Sequence, residues 1–420
     1  MFATIKQIFN PKNKDLQKRI LFTFICLLIF KLGTFITVPG IDKAALGLNS
    51  LGFLELINVM GGGALENFSI FALGVMPYIS ASIIIQLLEM DIVPYLSDLS
   101  KQGAQGRAKI NQITRYCGIA LAFVQGYFYS YTYLGTGNLI DYLSFALILT
   151  AGTSLLLWIG DQMTQKGIGN GTSMIIMAGI ISSIPNMFTQ AYTGLIDGSI
   201  KGIILFIIYV VVYLAIIIGI VFFQLAERRI QIQYANKSTS MLGNQNYIPF
   251  KLNSASVVPV IFASALISIP AIIAQFTKHE GLTNFVSNYF TMTKPLGFAI
   301  YIICIIAFSF FYVFLQLKPK EMAENLQQNG GYIPGIRPGV DTEKYINKVL
   351  LRITFVGSLA LAFLAALPIV FSILAPSLPS SVSIGGTGIL IVVGVALETY
   401  KQLEGELSMR TYAKGRKLRW

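Results

Sequence analysis

Residues 60–89 read MGGGALENFSIFALGVMPYISASIIIQLLE, a run that is apolar enough for a membrane segment yet heavily interrupted. A membrane-spanning helix needs about 20 apolar residues, and the part from Phe68 to Leu88 meets that requirement. Three glycines and a Glu-Asn pair precede this part, and Gly74 and Pro77 break it. The run therefore reads as two pieces, a short polar one that cannot cross a bilayer and a second one that can.

The composition places most of the chain in a membrane. The 420 residues are 54% hydrophobic and 12% charged, with a mean hydropathy of +0.67. Soluble domains carry about 25% charged residues, so most of this protein's surface must face lipid. The net charge of +12 would fit a nucleic-acid-binding protein in a soluble chain. Here the charges lie between apolar runs, where they set the membrane topology.

Ten apolar runs are long enough to span a bilayer, which predicts an all-α polytopic membrane protein. The predicted spans are roughly 20–38, 68–88, 113–134, 142–163, 171–191, 201–225, 254–275, 295–317, 349–371 and 384–403. With the N-terminus inside, all lysines and arginines but five fall in inside segments, the five being Lys31, Lys43, Lys201, Lys278 and Lys294. By the positive-inside rule both termini are predicted to be cytoplasmic.

Spans 1–5 and 6–10 are predicted to form two halves, residues 1–193 and 194–420. Because five crossings change the side of the membrane, the second copy of a five-span unit must be inserted upside down, and the working site then lies between the halves. The second span of each half contains proline, Pro77 in span 2 and Pro259 and Pro270 in span 7. Proline removes an internal hydrogen bond and kinks a helix.

The side chains that intramembrane catalysis needs are lacking. The only histidine, His279, falls in an outside loop, which excludes a Ser-His or two-His arrangement in the membrane. Asp161 and Glu398 lie near cytoplasmic span ends, and Lys31 is expected to snorkel from span 1 to the outer interface. We predict no enzyme activity, cofactor or metal. An inverted-repeat secondary transporter of small solutes is the alternative function, although no polar site is evident at the midplane.

Two cytoplasmic segments, about 226–253 and 318–348, are polar and too long for simple connections. One interpretation is a pair of solvated linkers. The other is a docking surface for a cytoplasmic partner. The run IPGIRPG at 333–339 favours docking, because closely spaced prolines and glycines form a fixed turn.

Seven motifs occur in the order of one known family and cover most of the chain. They are VPGID (38–42), GGGALENFSIFALGVMPYISASIIIQLL (61–88), KGIGNGTSMIIMAGI (166–180), ERRIQIQYAN (227–236), VVPVIFA (257–263), NGGYIPGIRPG (329–339) and GGTGILIVVGVALET (385–399). With these motifs the chain resembles the SecY family, the pore subunits of bacterial protein-export translocons.

The resemblance implies ten transmembrane helices in two inverted five-helix halves around a central hourglass pore, with a short re-entrant plug helix at about 54–67. Unfolded secretory polypeptides would cross through the pore. Signal sequences and hydrophobic segments would leave through a side gate into the lipid of the plasma membrane. The implied partners are the SecE and SecG subunits, the SecA motor ATPase and the ribosome.

Six positions are expected, by motif, to form the pore ring: Ile79 and Ile83 in span 2, Thr172 and Ile176 in span 5, Ile261 in span 7 and Ile391 in span 10. A narrow ring of bulky aliphatic side chains seals a pore by dewetting. Pairs at i, i+4 share one helix face. Thr172 departs from the aliphatic pattern, which indicates either a more polar seal or an alignment shifted by a turn. From pattern alone, any one of these isoleucines would instead be a lipid or packing contact.

The resemblance also assigns the plug, the gate and the docking residues. The plug comprises Gly61, Gly62, Gly63, Ala64, Leu65, Glu66 and Asn67, whose glycines allow close approach and displacement. Gln86 and Gln125 are candidate gate residues, with packing between helices as the alternative. Arg337, Arg228 and Arg229 are candidates for binding the motor or the ribosome, with a purely topological role as the alternative.

Overall fold

The structure, a computed structural model, describes residues 13–39, 58–89, 93–134, 138–195, 200–234, 247–277, 280–292, 294–374 and 380–417. Within these ranges the regular elements are helices and four short strands. The helices are α1 (Lys14–Gly33), α2 (Met76–Glu89), α3 (Pro94–Lys101), α4 (Ala104–Leu134), α5 (Leu139–Lys166), α6 (Gly171–Leu195), α7 (Ile200–Leu225), α8 (Val258–Thr277), α9 (Glu280–Tyr289), α10 (Pro295–Gln316), α11 (Pro319–Gln328), α12 (Val340–Leu374) and α13 (Ser380–Lys417). The strands are β1 (Glu227–Gln231), β2 (Gln233–Tyr234), β3 (Tyr247–Lys251) and β4 (Gly331–Tyr332).

Every predicted span overlaps a helix, in the order α1, α2, α4, α5, α6, α7, α8, α10, α12 and α13. By length and hydropathy, five stretches of the described chain are sufficient to cross a membrane, and α2 with α3, which meet at 91°, would add a sixth. The five are Leu139–Lys166, Gly171–Leu195, Gly202–Leu225, Pro295–Gln328 and Val340–Val370. The all-α membrane architecture is confirmed, and the number of ten crossings stays a prediction.

The first part of predicted span 2 is wrong as a helix. Residues 68–75 form turns, and α2 begins only at Met76. The backbone there is tied to the end of span 1, since the Val38 amide donates to the Phe68 carbonyl at 3.0 Å. Phe68 and Gly74 have φ values of +42° and +56°, which a right-handed helix does not accommodate. A hydropathy profile does not predict where the backbone adopts such left-handed conformations.

The helices of each predicted half pack in the same pattern. In the first half α1 contacts α5 and α6, α2 contacts α4, and α5 contacts both α4 and α6. In the second half α7 contacts α12 and α13, α8 contacts α10, and α12 contacts both α10 and α13. When the helices are numbered as spans 1–10, the second set of contacts is the first set shifted by five spans.

Contacts between the two sets of helices lie along two lines. On one line α6 packs against α7 and α13, and on the other α4 packs against α8. A Cβ built on Gly388 would lie 2.9 Å from Ile180 Cγ2, so the glycine allows α13 to approach α6 closely. One apolar core runs across this contact and contains Ile180 of α6 and Leu390 of α13.

The two long segments that are predicted to be cytoplasmic fold together over the described residues. β1 pairs antiparallel with β3, and β2 of the first segment pairs with β4 of the second. The Tyr332 hydroxyl donates to Gln233 Oε1 at 2.9 Å across the second pair. Beneath the strands lies an apolar group that we call the cytoplasmic cluster, formed by Ile230, Ile232, Phe250, Ala255, Val313, Leu326, Ile333, Ile346, Val349, Leu350 and Ile353. The interpretation of these segments as solvated linkers is therefore wrong for their described parts.

Candidate functional site

Four of the six predicted ring positions lie in or against one apolar core. Ile176 and Ile391 are 4% and 5% exposed and belong to that core, and the half-buried Ile79 and Ile261 pack against it. These side chains come from α6, α13, α2 and α8, that is, from both predicted halves. Ile83, one turn further along α2, is also half-buried. Four helices thus contribute aliphatic side chains to the same apolar core or to its edge.

Thr172 occupies the first turn of α6, where its polar groups have local partners. Its hydroxyl donates to Asn170 Oδ1 at 2.8 Å, and its amide donates to the same atom at 3.2 Å. Asparagine at this position satisfies amides that the start of a helix leaves without intrahelical acceptors. The hydroxyl therefore has a structural use at the helix start, which accounts for threonine at a position where an aliphatic residue is expected.

The predicted plug residues form a compact turn structure packed inside the protein. Residues 58–60 make a helical turn, and Gly62 and Gly63 follow with φ of +70° and +86°. Ala64 and Leu65 are 0% and 1% exposed and belong to the main apolar core. The remaining plug positions, Gly61, Glu66 and Asn67, are buried, exposed and half-buried. Residues 54–57 of the predicted plug lie outside the described residues.

The middle of α6 forms a seat for this plug segment. A Cβ built on Gly179 would lie 2.2 Å from the Met60 carbonyl oxygen, so only glycine allows the observed approach. The Ser183 hydroxyl shares its proton between the Val59 carbonyl at 3.3 Å and the Gly179 carbonyl of its own helix at 3.2 Å. Gly62 in turn lies against Gly179, because its own Cβ would meet Gly179 Cα at 3.1 Å. Sequence reasoning missed this seat, although the small residues along span 5 were visible.

Lys31 does not follow the snorkelling expectation in this structure. Its Nζ donates to the Gly62 carbonyl oxygen at 3.1 Å and lies 5.1 Å from the centroid of the Phe35 ring. The side chain is half-buried. The ammonium group is thus bonded to the plug segment.

The candidate gate glutamines are half-buried on adjacent helices. Gln86 Nε2 donates to Ser82 Oγ at 3.0 Å on its own helix, α2. Its Oε1 is buried and has no hydrogen-bond partner among the described residues. Gln125 lies on α4, the helix that contacts α8 of the other predicted half. The structure therefore places Gln125 on a helix at the contact line between the halves, and it does not pair Gln86 with it.

The three candidate docking arginines differ in whether their guanidinium groups contact other side chains. Arg228, Arg229 and Arg337 are all exposed. Arg229 Nε donates to Glu227 Oε1 at 2.8 Å, and its guanidinium lies 4.7 Å from the Tyr247 ring centroid. The hydrogen bond to Glu227 is the main cause that raises the pKa of Arg229 above its ordinary value. Among the described residues, Arg228 and Arg337 form no ion pair, so their guanidinium groups are open to a partner.

A further ion pair joins two neighbouring helices. Arg115 of α4 pairs with Asp161 of α5. From the sequence, Asp161 was located near a span end, but this ion pair was not predicted. The available signal was Arg115, an opposite charge at the matching depth of the neighbouring span. Within the described part of the chain, no three His, Cys, Asp or Glu side chains cluster to hold a metal ion.

Comparisons with known proteins agree on one family. The SecY family profile matches residues 69–400. The protein translocase subunit SecY of Bacillus subtilis (strain 168) is 47% identical, over 98% of this chain and 99% of that protein. A solved SecY channel, described by its plug domain and closed state, has a TM-score of 0.70 at 20% identity, covering 93% of this chain and 92% of that one. Sec61 in a canine ribosome–channel complex has a TM-score of 0.64 at 19% identity, with the same coverage. The chain belongs to the SecY family.

Proposed function

We propose that this chain, a multi-pass membrane protein of a translocase family, passes unfolded secretory polypeptides through the space between its two halves. Residues 1–193 and 194–420 are the proposed halves, with α6 ending at Leu195 and α7 beginning at Ile200. The repeated packing pattern supports this division, because contacts among the first five spans recur among the second five. An inverted repeat of this kind places the working site at the junction of the halves.

The observation that carries the proposal is the order of features along α6. Ile176, a ring position, lies three residues before Gly179, where the plug segment is seated. Three residues of helix rise about 4.5 Å, so the ring position and the plug are stacked less than one turn apart. A constriction directly beneath a removable segment is the arrangement that a closed polypeptide channel requires.

The chemistry of the proposed ring explains how such a pore excludes ions. Ile79, Ile176, Ile261 and Ile391 supply branched side chains that hold one χ1 rotamer in a helix, so the ring keeps its shape. An ion that enters an aliphatic constriction loses its hydration, and the narrow gap expels water. An unfolded chain can pass because its own side chains fill the gap. We include Ile83 and Thr172 in the ring by motif.

We propose the side gate where α4 contacts α8, with Gln86 and Gln125 near it. Signal sequences would leave there into lipid. SecE and SecG as membrane subunits, the SecA motor and the ribosome are the proposed partners, with Arg228, Arg229 and Arg337 on the docking face. The ribosome-bound Sec61 relative supports this use of the cytoplasmic face. The proposed location is the bacterial plasma membrane with both termini in the cytoplasm, as the distribution of lysine and arginine indicates.

The small-solute transporter, which the sequence left as an alternative, has no support. The chain matches translocase subunits along almost its full length, and the SecY family is a channel family. A protein-conducting channel needs no polar substrate site at the membrane midplane, which agrees with the lack of one in the sequence.

A stalled secretory chain is expected to cross-link to the proposed ring. Cysteines introduced by Ile79→Cys and Ile261→Cys should each bond to a cysteine in a translocation intermediate held in the channel. Ile303→Cys is the matched control, because Ile303 is 64% exposed on α10. Cross-linking yields on denaturing gels give the readout. Equal yields at all three positions would contradict a route through the ring.

Arg337→Glu is expected to lower export of a secretory precursor by about tenfold while leaving membrane insertion intact. The guanidinium is exposed and unengaged by the described residues, and reversing its charge would repel the carboxylate or phosphate it is proposed to bind. Lys344→Glu, in the same cytoplasmic segment, is the control for a simple change of charge. Precursor uptake into inverted membrane vesicles measures the effect, and equal export in both variants would leave Arg337 only a topological role.

A further inference from the structure

Lys31 connects the first helix to the plug segment through a single hydrogen bond. Its Nζ lies 3.1 Å from the Gly62 carbonyl oxygen, and the two residues are 31 positions apart in the chain. Gly62 is buried and its φ is +70°. Because the left-handed backbone of Gly62 is part of the plug turn, the position of its carbonyl depends on the plug being folded and seated.

The plug is thus held from two sides. On the α6 side, the Met60 carbonyl rests on Gly179 and the Val59 carbonyl accepts a hydrogen bond from Ser183. On the α1 side, the Lys31 ammonium holds the carbonyl of Gly62. Of the two hydrogen bonds, the one from Lys31 is charge-assisted, and such bonds are roughly twice as strong as neutral ones. Lys31 therefore makes the stronger of the two polar contacts.

The length of the lysine side chain makes this contact reversible. When the plug leaves, a lysine near the outer end of a membrane helix reaches the interface by extending its aliphatic stem. The charge is then hydrated and not stranded in an apolar interior. Opening breaks one hydrogen bond without burying an unpaired ammonium group, so the contact biases the plug toward its seat but does not lock it.

We propose that Lys31 is a positioning residue that latches the plug in its closed seat by bonding the Gly62 carbonyl. The inference rests on the proposed channel function and adds to it the residue that sets how readily the plug is released. The latch requires a cation of lysine-like reach at position 31, and an uncharged side chain of the same length would occupy the space without holding the carbonyl.

The experiment compares Lys31→Met, Lys31→Arg and the native residue in the full translocase, reconstituted in lipid vesicles and planar bilayers. Lys31→Met is expected to raise the resting ion conductance about tenfold, as expected for loss of a hydrogen bond to a charged group. Lys31→Arg should restore most of the closure, because arginine keeps the charge and donors. Lys294→Met, which removes an exposed positive charge just before α10, is the matched control and should leave conductance unchanged.

Plug position is read separately by cross-linking. Cysteines from Val59→Cys and Ser183→Cys, in a chain without its native cysteines, should be joined by a short bismaleimide when the plug is seated. The Ser183→Cys substitution also removes the hydrogen bond from Ser183 to the plug, so the seated position of the plug then depends more strongly on Lys31. Adding Lys31→Met should lower the cross-linking yield several-fold, and adding Lys31→Arg should not.

The outcomes separate the latch from the channel function. If native vesicles import a precursor while Lys31→Met changes neither conductance nor cross-linking, the latch is overturned and the channel stands. Equal loss of cross-linking in Lys31→Met and Lys31→Arg also overturns it, since packing and not the charge would then be responsible. If native vesicles import no precursor, the proposed function fails, whatever the cross-linking yields.

Discussion

Replacing Ile79 and Ile261 together by asparagine is expected to raise the resting ion conductance of the reconstituted translocase by on the order of a hundredfold. An asparagine amide favours water over an apolar environment by several kcal/mol, so two amides in the proposed ring would keep the gap hydrated. Ions pass a hydrated gap far more readily than a dewetted one. Single-channel recordings in planar bilayers provide the measurement.

The two positions lie on different predicted halves of the molecule. Ile79 lies on α2 and Ile261 on α8, and both pack against the same apolar core. Ile303→Asn on α10 is the control for placing an amide in a membrane helix, since Ile303 is 64% exposed and lies outside that core. A double variant that stays as closed as this control would show that the seal lies elsewhere.

A single methyl group on α6 is expected to unseat the plug. Gly179→Ala places a Cβ 2.2 Å from the Met60 carbonyl oxygen and 3.1 Å from the Gly62 amide nitrogen. Neither atom is the flexible end of a side chain, so the plug backbone must move away as a unit. We expect resting conductance to rise at least about tenfold, while precursor import persists because the ring and the path remain.

Gly405→Ala is the matched control for this variant. Gly405 lies in α13 with no heavy atom within 4 Å of a built Cβ, so alanine there only improves helix propensity. Both variants would be compared for conductance and for import in the same vesicle preparations. Loss of import in Gly179→Ala alone, without a rise in conductance, would mean that the contact supports folding and not closure.

Hydropathy and motif order predicted most of the architecture, and their failures have a common cause. Each predicted span overlaps a helix because a long apolar run in lipid must satisfy its own backbone hydrogen bonds. Residues 68–75 are equally apolar but lie inside the protein, where other segments satisfy the backbone, so they need not be helical. Apolarity indicates burial, and it does not tell burial in lipid from burial in protein.

The contacts of the candidate site could not be predicted from the sequence. The plug was assigned by the family resemblance, with which its glycines and polarity agree, yet its partners Lys31 and Gly179 are 31 and 117 residues from Gly62 along the chain. Contacts at such separations leave no local pattern in a single sequence. Lys31 illustrates this limit, because its snorkelling was inferred from its depth in the span, whereas its actual partner is a backbone carbonyl that only the folded plug presents.

The cytoplasmic cluster has a mechanical consequence. Its members come from both loops and from helices that include α10 (Val313) and α12 (Ile346), and all of them lie after α7 in the chain. A load that a docked partner applied to Arg228 or to Arg337 would therefore be shared between the loops and delivered to one of the two proposed halves. Such a load would turn that proposed half against the other. The noncovalent contact of α4 with α8 is then the interface that such a torque can separate.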